Sequence, residues 1–409
     1  MISHPILHLD GDAFFVACEV AKNPRLRNTP VVVGHDKGIA TALSYEAKKL
    51  GVGRGMPMFY IKRNFPNVII LPTDFPTYQC FSDRAMNIVR RHIERVEEYS
   101  IDEGFADLTT AYAGTDYVHI GHTIKDDIRQ LLGITYSVGI ASTKVLAKIA
   151  SKRNKPNGFT VLEPTDVRTW ISDLPVGNVW GIGSSTADSL RAQGILTAGN
   201  LASLPQEHVE QSFNRPLVEI WHELNGRVVH SVTIPGEKDH STSIQDTRSF
   251  TPSTADRVFL LAELSKHVEN ACTRLRAEGL IANAFSFFLK THDREYSRTE
   301  VMLPIATSSP SEILIHVRRL FASIYSPKVV YKSTGVTLMK LRSTDLVEQD
   351  LFGASLHSDK LADIFSQVDA VNKKYGEDAV KLASSIGGRK HSSTPAGTEM
   401  PLQYLGVVR

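Results

Sequence analysis

A multidomain α+β architecture is expected for this chain on three grounds. Its 409 residues suit two to four domains at about 150 residues each. Residues 1–20 and 74–165 alternate short apolar runs with stretches of helical spacing, an α/β pattern interrupted by a small insertion at 21–73. A polar segment at 233–243, containing Pro235-Gly236, separates the short helices of 166–232 from a mixed region at 244–344.

The elements follow in order. Ile6 to Leu9 is an apolar strand that ends at Asp10, and Pro30 to Gly34, with three consecutive valines, is a second. Ser44 to Leu50 is a short helix closed by Gly51. Val68 to Leu71 is a strand stopped by Pro72. Helical spacing predicts a long helix over Tyr78 to Val96. Glu97 to Asp107 reads as strand, acidic bend and strand. Asp116 to Leu132 is a helix, Thr135 to Ile140 an alternating strand and Ser142 to Ala150 a helix. Later, Ala284–Leu289 and Gly335–Leu341 alternate as strands, with helices near Arg257–Glu278 and Ser311–Ser323. Leu361 to Lys374 is helical, 387–399 has the composition of a disordered segment, and Leu402 to Val408 is an apolar end.

Composition excludes several classes. At 42% hydrophobic and 22% charged residues, the chain is neither wholly disordered nor collagen-like. Cys18, Cys80 and Cys272 lie far apart with no C-x-x-C, so a disulfide framework and a cysteine zinc site are not expected, and a reducing compartment is. The N-terminus lacks the basic start and apolar core of a signal peptide, and no apolar window reaches 18 residues. A cytoplasmic protein without a membrane partner is expected. Net charge is only +2, but residues 139–162 hold Lys144, Lys148, Lys152, Arg153 and Lys155 and no acid. Residues 238–344 hold 15 basic against 10 acidic residues. Such excesses fit a polyanion partner and equally fit solvated faces.

Five constellations carry chemistry. Asp10-Gly11-Asp12 places carboxylates at a strand end, where a hard divalent cation finds oxygen ligands; Asp-Gly is also a common turn. Ser100-Ile101-Asp102-Glu103-Gly104 sets two acids between strands. Adjacent strand residues face opposite ways, so a bend or bulge is needed to aim both at one site. If these two strand ends meet, they can hold the metal pair of a phosphoryl transfer. Lys152-Arg153-Asn154-Lys155-Pro156-Asn157-Gly158 presents Lys155 on a turn, suited to a triphosphate. Tyr45 and Lys48 share a helix face three residues apart. Gly181-Ile182-Gly183, flanked by short helices, suits a helix–hairpin–helix whose amides meet a nucleic-acid backbone without reading sequence.

In this order, these features resemble the Y-family DNA polymerases, the translesion enzymes, nearest the bacterial polymerase IV (DinB-like) branch with UmuC-like features. The resemblance covers about residues 4–344. It rests on Leu9-Asp10-Gly11-Asp12-Ala13-Phe14-Phe15, on Tyr99-Ser100-Ile101-Asp102-Glu103, and on Val138-Gly139-Ile140-Ala141-Ser142 with Lys144, Ala147-Lys148-Ile149-Ala150 and Lys155-Pro156-Asn157-Gly158. It implies a right hand: a ferredoxin-like palm (1–20 and 74–165), small fingers (21–73), a helix–hairpin–helix thumb (166–232), a linker (233–243), an α/β little finger (244–344) and a tail (345–409). It implies low-fidelity, template-directed transfer of deoxynucleotides to a primer 3′-hydroxyl, with primer–template DNA as partner and a monomeric state. Two Mg²⁺ ions, or Mn²⁺ in their place, are implied on Asp10, Asp102, Glu103 and the Gly11 carbonyl. Phe15 matches the steric gate, which excludes a ribose 2′-hydroxyl by shape. The amides of Phe14 and Phe15, and the side chains of Tyr45, Lys48 and Lys155, match triphosphate contacts. Gly181, Ile182 and Gly183 match DNA contacts.

Some residues depart from the family pattern. Lys48 stands where this branch usually has arginine, keeping the charge but losing the bidentate fork. The family's phosphate-binding threonine aligns with Ala42, one residue after Thr41. Trp180 stands where the thumb motif commonly has proline. In the tail, Glu348-Gln349-Asp350-Leu351-Phe352 partly resembles a sliding-clamp peptide with Leu351 and Phe352 as anchors. It also reads as the start of the next helix. A catalytically silent DNA- or clamp-binding scaffold is the alternative, opposed by the presence of all three carboxylates. A nucleotidyl cyclase would lack the hairpin and the basic later region.

Overall fold

The computed structural model describes residues 2–35, 38–110, 116–234, 241–344, 354–376 and 378–388. The chain divides into two compact units between positions 238 and 239.

The first unit begins with β1 (Ile6–Gly11) and α1 (Phe14–Lys22). A small layer follows: β2 (Val31–Gly34), β3 (Ala40–Leu43), α2 (Tyr45–Lys49), α3 (Met58–Asn64) and β4 (Ile69–Leu71). Its three strands lie in the order β3-β2-β4, and Val32, Leu43, Met58 and Ile61 form a separate small core. Ser44 caps α2 by accepting the Ala47 N–H, and its hydroxyl also takes the Val31 amide, so one serine fixes helix to sheet.

Next come α4 (Phe75–Arg90), β5 (Val96–Ser100), β6 (Glu103–Asp107), α5 (Tyr117–Leu132), β7 (Tyr136–Ala141), α6 (Lys144–Arg153) and β8 (Phe159–Val161). The long helix expected over Tyr78–Val96 is shorter and earlier. Asp74 caps it by accepting the Thr77 amide, with Pro76 in its first turn. Beyond it, Ile93 and Val96 extend the apolar spacing, but they are buried from a turn and from β5. α6 likewise starts two residues later than expected, because Thr143 is its cap.

The five strands order as β5-β6-β1-β7-β8, with only β7 and β8 parallel. The period-two pleat divides β1 between two cores. Leu7 and Leu9 join Phe81, Met86, Ile124 and Ile128 of α4 and α5. Ile6 packs with Phe105, Val145 and Leu146 on the α6 side. Gly139 lets α6 lie directly on the sheet: a Cβ there would stand 2.2 Å from the Ser151 nitrogen and 2.3 Å from the Ala147 oxygen.

Five short helices complete the unit: α7 (Val167–Ile171), α8 (Ser184–Ala192), α9 (Ala198–Ala202), α10 (Gln206–Ser212) and α11 (Arg215–Leu224). The buried Glu223 of α11 accepts the amides of Val145, Val229 and His230, tying this segment to the N-terminus of α6.

The second unit is β9 (Ser243–Thr254), α12 (Arg257–Ala277), β10 (Leu280–Thr291), β11 (Tyr296–Thr307), α13 (Pro310–Ile324), β12 (Tyr331–Ser343) and α14 (Ala354–Tyr375). Its antiparallel sheet orders as β11-β10-β12-β9, with α12 and α13 packed on a core of Phe285, Phe287, Val336 and Leu338. Asp369 of α14 accepts from the Arg276 guanidinium at 2.6 and 2.9 Å. Glu348 to Phe352, with Leu351 and Phe352, lies outside the described residues, as does nearly all of 387–399.

Candidate active site

Asp10 and Glu103 are brought together by strand register. They are direct partners across β1 and β6, so both side chains leave the same face of the sheet. The Gly11 amide donates to the Asp102 carbonyl at 2.8 Å, closing the two strand ends on each other. The expected irregularity is present as a register shift between Glu98 and Ser100. Ser100 then donates its hydroxyl to Asp102 Oδ1 at 2.5 Å.

Each carboxylate has its own partner. The Lys155 ammonium donates to Asp10 Oδ1 at 2.5 Å and lies 3.4 Å from the Gly11 carbonyl. The Lys148 ammonium donates to both Glu103 oxygens at 2.8 Å. Beneath them, buried His8 bonds Ser151 Oγ through Nδ1 at 2.7 Å, and its Nε2 lies 3.6 Å from Glu103. Burial works to raise the Glu103 pKa, but His8 and the Lys148 charge outweigh it and pull the carboxyl down to about 2. Burial dominates at His8 and pushes its imidazole below the ordinary value.

Among the described residues, no three His, Cys, Asp or Glu side chains converge as a ready metal set. The donors nonetheless suit a hard cation, since all are oxygens. The Lys155 ammonium already rests between the Asp10 carboxylate and the Gly11 carbonyl, so two of the four expected ligands face one cation-sized position.

Asp12 has a different place. Its side chain is 2% exposed and accepts from Thr135 Oγ1 at 2.9 Å, Ser137 Oγ at 2.8 Å and the Asn157 amide at 2.7 Å. Ser137 Oγ takes the Gly158 amide in turn. Asn157 holds φ +54, and a Cβ on Gly158 would meet the Asn154 oxygen at 2.5 Å. Asp12 therefore fixes the turn that carries Lys155.

Tyr45 and Lys48 approach from α2, with the Lys48 ammonium 4.6 Å from the Tyr45 ring centroid. Burial, then the charges of Asp12 and Asp10, push the Tyr45 hydroxyl up to about 12. Burial, then Lys155 and Arg54, push Lys48 down. Both side chains of α2 thus lie within electrostatic reach of Asp10 and Asp12. Arg54, which the sequence did not single out, is a further cation on this side. Thr41, beside Ala42, donates its hydroxyl to the Val33 carbonyl at 2.8 Å.

Phe15 is half-buried at the start of α1. Its ring stacks on Tyr78, with centroids 4.4 Å apart and planes at 13°, and meets Phe75 edge-on at 5.8 Å. The Tyr78 hydroxyl donates to Glu19 at 2.8 Å, so the backing ring is pinned. Ala13 precedes α1 at φ 49 and makes no side-chain cap bond, which leaves the Phe14 and Phe15 amides without a side-chain acceptor there.

Gly181 stands at φ +89, and a Cβ there would meet Ile220 Cδ1 at 2.8 Å. Gly183 opens α8 without a side-chain cap. Ile182 is buried and its amide donates to the Val179 carbonyl, so its own N–H is already used.

Comparisons with known proteins identify the family. A profile of the impB/mucB/samB family matches residues 9–152, that of its C-terminal domain 241–351, and the IMS family HHH motif 164–195. DNA polymerase IV of Methanoculleus marisnigri is 35% identical over 322 residues, 76% of this chain and 87% of that one. DNA polymerase IV 1 of Bacillus subtilis is 29% identical over 416 residues, 98% of each chain. Among solved structures, the Y-family DNA polymerase chimera Dbh-Dpo4(243-245)-Dbh matches with a TM-score of 0.71 at 25% identity, covering 83% of this chain and all of that one. The fold is that of a right-hand nucleotidyl-transfer enzyme, with palm, fingers, thumb and little finger. The chain belongs to the impB/mucB/samB family, the Y-family DNA polymerases, on the polymerase IV branch.

Proposed function

We propose that this chain copies past damaged bases as a translesion DNA polymerase whose chemistry sits on Asp10, Asp102, Glu103 and the Gly11 carbonyl. The palm is residues 1–20 and 74–165, the fingers 21–73, the thumb 166–232 and the little finger 244–344. The observation that carries the reading is the cross-strand pair of Asp10 and Glu103, with the Asp102 carbonyl bonded to the Gly11 amide.

Asp10, Asp102, Glu103 and the Gly11 carbonyl would hold two Mg²⁺ ions, which would supply charge stabilisation for the attacking and leaving oxygens. The primer 3′-oxygen bonds to the α-phosphorus as the α–β bridge breaks; pyrophosphate leaves and the hydroxyl proton passes to solvent. Lys155 exchanges its bond to Asp10 for the incoming triphosphate. Lys48 and Tyr45, which keeps its proton through neutral pH, grip the triphosphate from the fingers. The Phe14 and Phe15 amides bind phosphate, and the Phe15 ring closes the space a 2′-hydroxyl needs. Gly181, Gly183 and the first turn of α8 hold a DNA phosphate, with Ile182 as their core anchor. Leu351 and Phe352 dock the tail on a sliding clamp.

Primer extension on undamaged and abasic templates, with Mg²⁺ and four deoxynucleotides, tests this. Wild type should extend both, and Asp102→Ala/Glu103→Ala should extend neither while still binding primed DNA. Extension by the double variant refutes the assignment of these carboxylates.

A further inference from the structure

Trp180 immediately precedes the Gly181–Gly183 hairpin, and none of the chemistry above uses it. Its indole N–H donates to the Tyr99 hydroxyl at 3.1 Å. Its ring meets Tyr99 edge-on at 5.2 Å and Phe105 at 5.5 Å. The Lys148 ammonium lies 4.8 Å from the Tyr99 ring centroid and 5.2 Å from that of Trp180, while bonding both oxygens of Glu103. Tyr99 belongs to β5 and Phe105 to β6, on either side of the Asp102-Glu103 bend.

Two aromatic faces and one carboxylate therefore enclose a single ammonium group. One of those faces comes from the segment that carries the hairpin. Cation–π attraction holds an ammonium where ring faces are fixed, and the indole N–H fixes the Tyr99 face. The cage keeps Lys148 on Glu103. A metal ion that takes a Glu103 oxygen competes with the Lys148 ammonium for the charge of the same carboxylate.

We propose that Trp180 is a positioning residue that couples the DNA-binding hairpin to the metal affinity of the palm by holding Lys148 against Glu103. The coupling rests on the reading of Glu103 as a metal ligand. It is reciprocal by linkage: whatever shifts Trp180 changes the hold of Lys148 on Glu103, and whatever occupies Glu103 is felt at Trp180.

The full-length chain labelled with 5-fluorotryptophan gives three fluorine resonances, from Trp170, Trp180 and Trp221. The one absent in Trp180→Phe is Trp180. Mg²⁺ alone should shift that resonance, and so should primer–template duplex without metal. Glu103→Gln should shift it at rest and abolish its response to Mg²⁺. In Trp180→Leu the Mg²⁺ midpoint for single-nucleotide extension should fall at least threefold, because a loosened Lys148 competes less for Glu103. Trp180→Phe should restore part of the difference by keeping a ring face.

A Trp180 resonance indifferent to Mg²⁺ overturns the proposal. So does a Trp180→Leu variant whose only change is weaker duplex binding at an unaltered Mg²⁺ midpoint. Extension by Glu103→Gln at the wild-type rate would instead remove the metal-ligand reading of Glu103 itself.

Discussion

Asp12 is a buried structural acid two residues from Asp10, the proposed metal ligand. Replacing it with alanine removes a carboxylate that is 2% exposed and accepts three hydrogen bonds. The Thr135 and Ser137 hydroxyls can rotate toward other acceptors. The Asn157 amide cannot, and an orphaned buried donor costs about 1–3 kcal/mol. With the two charge-assisted hydroxyl bonds partly recovered, the total comes to about 3 kcal/mol. Asp12→Asn keeps one acceptor oxygen for the Asn157 amide, and a hydroxyl can turn to accept from the new NH₂, so about 1 kcal/mol is lost. The damage falls on the turn that carries Lys155. In Asp12→Ala the KM for deoxynucleoside triphosphate should rise about tenfold, equivalent to roughly 1.4 kcal/mol, with kcat less affected. Urea unfolding and steady-state extension on an undamaged template measure both. The Mg²⁺ midpoint of Asp12→Asn should stay at the wild-type value, while that of Asp10→Asn moves or activity disappears. An Asp12→Ala protein of unchanged stability and KM would refute the role of the turn. A shifted Mg²⁺ midpoint in Asp12→Asn would make Asp12 a ligand after all.

Other outcomes are expected. Phe15→Ala should admit ribonucleotides, with discrimination falling at least tenfold in single-nucleotide incorporation; unchanged discrimination would remove the gate role. Gly181→Ala should destabilise the thumb by about 1–2 kcal/mol for its left-handed backbone, with more from the Ile220 clash, and should weaken primed-DNA binding in a filter or anisotropy assay. Binding of primed DNA should fall steeply with salt, because phosphate contacts dominate; a flat response would contradict them. The Glu103 carboxyl is pulled down from 4.5 to about 2, so its stabilising contribution is complete above pH 4.5 and lost as pH falls toward 2. Glu103→Gln should therefore show a shallower loss of urea stability between pH 4.5 and 3 than wild type, and equal slopes would refute the pairing.

The carboxylate motifs, the hairpin and most strands were legible because each leaves a local trace: an apolar run, a strand-end acid or a glycine turn. Asp12 was not distinguishable from Asp10, since a ligand and a buried hydrogen-bond acceptor look alike until Thr135, Ser137 and Asn157 are folded around one of them. The overlong helix at Tyr78–Val96 arose because Ile93 and Val96 continue a helical spacing by chance of position, although Asp74 and Pro76 already marked its start. Tyr78 became visible as the backing of Phe15 only through packing. β11 carries charged residues along its exposed face and gave little apolar signal.

The basic run at 144–155 shows why charge counted along a chain is a poor guide to partners. Gly139 allows α6 to lie flat on the sheet, and its Lys144 and Lys148, four residues apart, then project over acids of β5 and β6. Lys144 pairs with Glu97 at 2.5 Å, Lys148 with Glu103, and Lys155 with Asp10. Much of the apparent polyanion site is thus counter-charge for the palm itself. That arrangement lets Asp10 and Glu103 gather at one end of two neighbouring strands, where unpaired carboxylates would repel one another. The pairs differ in what they free when broken. Glu97 also accepts the Thr233 amide, so its pair with Lys144 anchors backbone. Lys148 and Lys155 hold residues proposed to bind metal, so the same two ammonium groups neutralise the site at rest and, on that proposal, would loosen when cations replace them.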